Sequence, residues 1–363
     1  MPDFFPSRTL TIYMAKMFVV RVFAVLAILV IVLQVLDLLG ESDAILSYQG
    51  NGQAQILTYI SLRIPGIIQR FLPFCVLLGT IITLASLNQN SEVVSMKAAG
   101  LSAHQVLAPL FVASLLIAIA SFVFNDRIVT RATATLNLWE GVDYGKMPTG
   151  RESMTNVWVR EGDDLIHVDV VQGRADTTVL TGLSIYDRTG GSLSKIVTAD
   201  RASVTKGGWQ LTNTYSFDIA SGTKTRNGTI VVAPTVRPDQ FTLANVDGAG
   251  LSFGKLREAI QDLNAAGRPT GPLEAALWHK ISGPLSTILM PLLGAVAAFG
   301  LARSGKLFVR AVIGMGLGFM YFVADNFGLA MGNLGAYPPL LAAWGPFMLF
   351  LLIGEAVLIR TEE

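Results

Sequence analysis

Charge is almost absent from long stretches at both ends of this 363-residue chain, and that distribution constrains the fold more than any motif does. Asp, Glu, Lys and Arg total 53, of which 34 lie between Asp126 and Lys280; the other 208 residues carry 19. Five runs contain none of the four: Val22 to Leu36, Phe71 to Ser91, Gln105 to Asn125, Ile281 to Ala302 and Ala311 to Ala324. A sixth, Asn326 to Gly354, is 29 residues long. A helix rises about 1.5 Å per residue, so about 20 apolar residues cross the roughly 30 Å of bilayer hydrocarbon. A soluble domain has about a quarter of its residues charged, against 15% here. Soluble, disordered and collagen-like chains are excluded. The net charge of +1 leaves no basic footprint for nucleic acid. A single cysteine, Cys75, excludes an internal disulfide and a multi-thiolate metal site. The pattern is that of an α-helical integral membrane protein.

The apolar runs predict six spans, near 16–39, 62–87, 104–125, 278–301, 308–331 and 338–359, with the Gly335 to Pro339 turn (GAYPP) separating the last two. The first is expected to remain in the mature chain, because no small-x-small cleavage site follows it. Lys and Arg set the orientation. The N-terminus holds Arg8, Lys16 and Arg21, Arg303, Lys306 and Arg310 join the fourth span to the fifth, and Arg360 lies at the C-terminus, whereas 40–60 and 332–337 have neither residue. Both termini are therefore expected in the cytoplasm, with the polar middle outside. The organisation is 3+3: 1–130 as spans one to three with a short cytoplasmic helix near 88–100, 131–270 as an inserted all-β domain with a linker helix, and 271–363 as spans four to six.

The insert reads as β from short runs rich in Val, Ile, Thr and aromatics, such as Leu165 to Val171 and Val179 to Asp187, separated by Gly, Asn and Asp. Their spacing suits a sandwich or jelly roll. Strict alternation puts Ile166, Val168 and Val170 on one face and Leu165, His167, Asp169 and Val171 on the other. The first set is wholly branched-apolar and is expected inward, with Ile185 on the facing side of another strand. Ser252 to Ala266 predicts an amphipathic helix stopped by Gly267 and Pro269.

Between spans two and three, Asn88 to Gly100 (NQNSEVVSMKAAG) predicts a short helix capped by Asn90 or Ser91, with Glu92 in its first turn and Gly100 as its stop. Val93, Met96 and Leu101 supply an apolar edge beside Lys97, fit for docking into a partner's groove. An ordinary polar turn in which Glu92 complements the helix dipole fits these residues equally well. Outside, Arg63 with Arg70, Arg127 with Arg131, and Lys280 can ring a cavity and meet anionic head groups; each alone also fits interfacial snorkelling. Asp37 and Asp325 are expected near the outer interface, solvated or capping their own helix ends, which speaks against a proton-coupled carrier with a midplane acid. Gly314 with Gly318, and Gly328 with Gly332, are small-xxx-small pairs for close helix contact, within the chain or with a partner subunit. Gly300 to Lys306 (GLARSGK) matches a phosphate-binding loop, but Leu307 replaces its hydroxyl residue and no strand precedes it, so it is expected to be a cytoplasmic turn. His104, His167 and His279 lack metal-ligand spacing, and no nucleophile signature accompanies them; no catalytic or metal-binding residues are expected.

These strings, in this order, resemble the LptF/LptG family of lipopolysaccharide export permeases, nearer the LptG branch, over essentially the whole length. NSEVVSMKAAGLS resembles the family's coupling helix, with Glu92 at its acidic position. LSIYD resembles its short aromatic strand. Leu277 to Lys280 with Pro284 resembles the opening of span four, Phe322 to Asp325 with Phe327 and Gly328 resembles span five, and Tyr337 to Leu340 the opening of span six. The chain departs from the family at Gln34, where some members carry lysine shortly before the aspartate matching Asp37, so an ion pair from that site to a lipid phosphate is not carried over. The resemblance implies a permease subunit of an ABC-type transporter in the inner membrane of a Gram-negative bacterium, with its β-jellyroll domain in the periplasm. Its partners would be an LptF-like sister permease, an LptB-like cytoplasmic ATPase dimer, LptC-like and LptA-like jellyroll proteins, and lipopolysaccharide. ATP and Mg would sit in the ATPase, leaving this chain without a cofactor and not itself an enzyme. It also implies ATPase coupling through Glu92, Val93, Met96 and Lys97, and lipid contact by the outer basic residues and by Ile166, Val168 and Ile185. Two other classes fit part of the pattern. An ion-coupled secondary transporter predicts mid-membrane acids or an internal repeat, and a receptor or assembly scaffold predicts no bound ATPase.

Overall fold

The computed structural model of the chain describes all residues except 1–5, 147–152, 162, 174–176, 190–191, 206–207, 233–240, 242–247, 266, 300–306 and 363. The expected turn at Gly300 to Lys306 lies outside the described residues. Two compact units form: one from Met1–Gly40, Leu57–Thr133 and Gly248–Glu363, the other from Glu41–Ile56 and Ala134–Asp247.

The first unit is helical. The helices in chain order are α1 (Arg8–Ser47), α2 (Gln53–Gln89), α3 (Glu92–Ala98), α4 (Ala103–Phe124), a π-helical turn (Asn125–Val129) that runs on into α5 (Thr130–Glu140), then α6 (Phe253–Ala265), α7 (Gly271–Phe299), α8 (Leu307–Asn333) and α9 (Pro339–Glu362), with 41–47 of α1, 53–56 of α2 and 134–140 of α5 falling in the second unit. Among the described residues, five helical segments are long and apolar enough to cross a membrane: α1, α2, Ala103–Glu140, Val312–Asn333 and Pro339–Arg360. Several helices outrun their apolar stretches. The 40 residues of α1 make about 60 Å of helix, which runs on through Gly40 and ends at Ser47, ahead of Gly50 and Gly52. Likewise α5 occupies residues assigned to the start of the β domain, and the chain stays helical until Gly141. Apolar runs record bilayer depth; helix ends are decided by glycine and capping chemistry.

The helices pack through one core that includes Phe18, Val22, Leu77, Leu84, Leu107 and Leu293. Helix α7 packs against α4, α8 and α9. Close approaches use glycine: a Cβ on Gly79 would meet Val22 of α1, and one on Gly294 would meet Thr80 of α2.

The second unit holds a six-stranded antiparallel sheet whose strands follow sequence order: β1 (Ser153–Glu161), β2 (Asp164–Gln172), β3 (Val179–Thr189), β4 (Ser192–Thr205), β5 (Gly208–Asp218) and β6 (Lys224–Val232). The β5–β6 turn is tied by Asp218, which accepts from the Ser221 amide at 2.8 Å and its hydroxyl at 2.9 Å. Those bonds, the amide first, hold the Asp218 carboxyl below its ordinary pKa.

One transverse line interrupts these ladders. The pairings Asn156 with Asp169, Asp169 with Gly182, Gly182 with Asp200 and Asp200 with Asn213 are skipped, while register on either side is unchanged. Along that line Asn156, Gly182, Asn213 and Gly228 have φ of 53, 66, 53 and 68°, a left-handed conformation that asparagine and glycine tolerate best. Across the line the buried residues fall three apart: Val168 and Val171, Leu180 and Leu183, Ala199 and Ala202, Leu211 and Thr214. Each of these strands therefore exchanges its inward face there, and both halves feed one apolar cluster around Val157, Leu180, Trp209 and Phe241. The sheet is creased. This corrects the strict alternation: Ile166 and Val168 do point inward, but Val171, 1% exposed, takes the place assigned to Val170. Ile185 lies beside Ile166 on the neighbouring strand, not across from it.

Candidate functional site

Helix α3 is present over Glu92–Ala98. Ser91 holds the N-cap position at φ 61° and makes no side-chain cap; instead Asn90 Nδ2 donates to Glu92 Oε1 at 3.3 Å. The Tyr13 hydroxyl of α1 donates to the same oxygen at 3.4 Å. At the other end Gly100 has φ +88°, its N–H reaching Lys97 O at 3.0 Å while that of Leu101 reaches Met96 O at 3.2 Å. That pair of bonds is the glycine-dependent Schellman closure. Ser102 and Gln105 then form a reciprocal capping box on α4. The apolar edge is turned inward: Val93 and Met96 are 4% and 7% exposed and belong to the helical core. Both side chains therefore face the core of this chain and do not form an exposed apolar edge. The face left open carries Val94, Ser95, Lys97 and Ala98.

Arg63 is engaged within the chain. Its guanidinium donates to both oxygens of Asp37, at 2.7 Å from Nη2 and 3.1 Å from Nε. The Tyr59 hydroxyl donates to Asp37 Oδ2 at 2.7 Å. Gln34, one turn before Asp37, is buried with neither amide atom partnered among the described residues. His279 Nε2 lies 3.0 Å from Asp325 Oδ2, joining α7 to α8, and Lys280 is buried. Asp37 and Asp325 thus hold a neighbouring helix rather than cap their own. Of the five outer basic residues, Arg70, Arg127 and Arg131 are exposed. His104 of α4 lies 3.3 Å from Glu355 of α9.

The α8 glycines serve contacts inside the chain. A Cβ on Gly318 would meet Leu77 of α2, one on Gly328 the Ala342 carbonyl of α9, and one on Gly332 the Ala342 and Ala275 side chains; Gly314 is buried as well. These are the within-chain contacts of the two small-xxx-small pairs. In the sheet, Ile166 and Val168 are buried, Ile185 packs against them, and Asp169 faces solvent.

A family model described as the lipopolysaccharide export system permease LptF/LptG matches residues 12–360. The chain belongs to this family. It is similar to the lipopolysaccharide export system permease protein LptG of Escherichia coli, with 26% identity over 312 residues covering 83% of this chain and 84% of that protein. It is similar also to LptG of Haemophilus influenzae, with 24% identity over 367 residues covering 98% and 99%. The five long apolar helices among the described residues and the antiparallel sheet are consistent with a membrane permease that carries a β domain.

Proposed function

We propose that this chain is the LptG-like permease subunit of an ABC-type transporter that extracts lipopolysaccharide from the inner membrane and passes it to a periplasmic bridge. The observation that carries the reading is α3: a helix too short to span, tied to α4 by closed caps and buried Val93 and Met96, with Val94, Ser95 and Lys97 left exposed. Such a helix suits a lever for an ATPase that supplies the ATP and Mg chemistry this chain's residues do not. Glu92, held by Asn90 and Tyr13, would set its orientation. In this reading α7 is the sixth span, since Ile281 to Phe299 carries no Asp, Glu, Lys or Arg. Both termini and α3 lie in the cytoplasm, and the creased sheet is a periplasmic jellyroll.

The lipid's anionic head group would meet Arg70, Arg127 and Arg131. Its acyl chains would enter the apolar side of the sheet at Ile166, Val168 and Ile185. The other half of the membrane assembly would be an LptF-like sister permease, with LptC-like and LptA-like proteins extending the β path. Affinity purification of the full chain in detergent tests this directly. A cytoplasmic ATPase, a sister permease and lipopolysaccharide should come with it in fixed proportion; recovery of the chain without an ATPase would overturn the reading.

A further inference from the structure

The outer end of α4 carries a feature that the export reading does not absorb. Helix α4 ends at Phe124 and the chain continues through the π turn Asn125–Val129. A π turn holds one residue more than an α turn, with poorer bonds, and occurs mostly at functional positions. Asp126 lies within it. Its Oδ1 accepts the backbone N–H of Phe253 at 2.6 Å, the first residue of α6. That amide is one of the four a helix start leaves unpaired, and a carboxylate there is favoured by the helix dipole as well. Two further contacts hold the joint. Phe122 meets Phe253 edge to face with centroids 6.4 Å apart, and the Thr130 hydroxyl donates to the Asp126 carbonyl at 2.8 Å. Beyond its first turn α6 is anchored by buried Leu256, Ile260 and Leu263.

At its other end α4 follows α3 directly, after the Gly100 closure and the Ser102–Gln105 box, and Val93 and Met96 of α3 are buried in the same helical core as α4. Its 22 residues span about 33 Å. We propose that Asp126 is a positioning residue for lipid export, coupling α4 to α6: a displacement of α3 travels along α4, and the carboxylate passes it to α6, the helix by which the chain returns from the β sheet. The π turn lets α4 shift by about one residue rise, roughly 1.5 Å, without breaking the helix that follows. This rests on the ATPase-coupled reading above.

Hydrogen–deuterium exchange on the full complex, without nucleotide and with a non-hydrolysable ATP analogue, tests the inference. In the wild type, peptides covering 90–101 and 250–257 should both change exchange on nucleotide binding. In Asp126→Ala the 90–101 response should persist, the 250–257 response should vanish, and ATP-driven lipid release should fall at least fivefold at an ATPase rate within twofold of wild type. Asp126→Asn, close in shape and still an acceptor, should keep the 250–257 response while the Phe253 amide exchanges about tenfold faster, the difference between a charged and a neutral acceptor. A 250–257 response that survives Asp126→Ala, unchanged Phe253 protection in Asp126→Asn, or a wild type in which only 90–101 responds would overturn the coupling role alone. A wild type in which 90–101 is silent would overturn the ATPase-coupled reading and this inference with it.

Discussion

Two glycines on the crease make a matched pair. Gly182 and Gly228 have φ of +66 and +68°, so alanine at either must hold a left-handed backbone at about 1–2 kcal/mol. Both substitutions also restrict the unfolded chain, recovering about 0.4–1 kcal/mol in each case. The sites differ in what surrounds the new methyl group. A Cβ at Gly228 meets nothing within 4 Å, whereas one at Gly182 runs into the Asp169 side chain, from its Cβ to its carboxylate. Moving Asp169 aside is overpacking of a kind that costs about 1–3 kcal/mol. Gly228→Ala should therefore destabilise by about 1 kcal/mol and Gly182→Ala by about 2–4 kcal/mol. Urea unfolding of the full chain in detergent, followed by tryptophan fluorescence, provides the assay, since Trp209 is 7% exposed within the sheet's core. Equal midpoint shifts for the two variants would refute the juxtaposition of Asp169 and Gly182, and with it the crease.

Two further outcomes follow from the helical unit. Asp37→Asn, Arg63→Gln and the double variant should show a coupling of about 1–2 kcal/mol, between the values for exposed and buried pairs, because the two side chains are 20% and 40% exposed; additive losses of thermal stability would deny the bidentate pair. Glu92→Lys opposes the α3 dipole and removes the acceptor for Tyr13 and Asn90, so ATPase recovery or ATP-driven lipid release should drop about tenfold or more, and wild-type values of both would rule out a coupling role for Glu92.

The helix–sheet–helix order was legible because charge and periodicity mark bilayer and β segments directly. The short α3 was legible from its glycine stop, but its buried face was not, since Val93 and Val94 are equally apolar and only packing into the helical core selects Val93. Both long-range acid pairs had an unused signal. Asp37 and Arg63 are each thirteen residues from Gly50, and His279 and Asp325 are each 23 from Ala302, so antiparallel helices joined near those points bring each pair to one height. Local spacing rules look only three or four residues away and pass over such symmetry. The crease escaped for a different reason. Asn156, Gly182 and Asn213 lie inside β1, β3 and β5, where alternation assumes an extended backbone throughout; left-handed residues in alternate strands accompany the reversal, and β2 and β4 between them reverse their buried face without one.

The most direct test of the account is capture of the lipid in transit. A photocrosslinking amino acid at Ile166, Val168 or Ile185, on the apolar side of the sheet, should trap lipopolysaccharide in the assembled complex only while ATP is being hydrolysed, and the same probe at His167 or Asp169 should not. Labelling at both sets alike, or labelling without ATP, would contradict ATP-driven transfer of the lipid into this sheet.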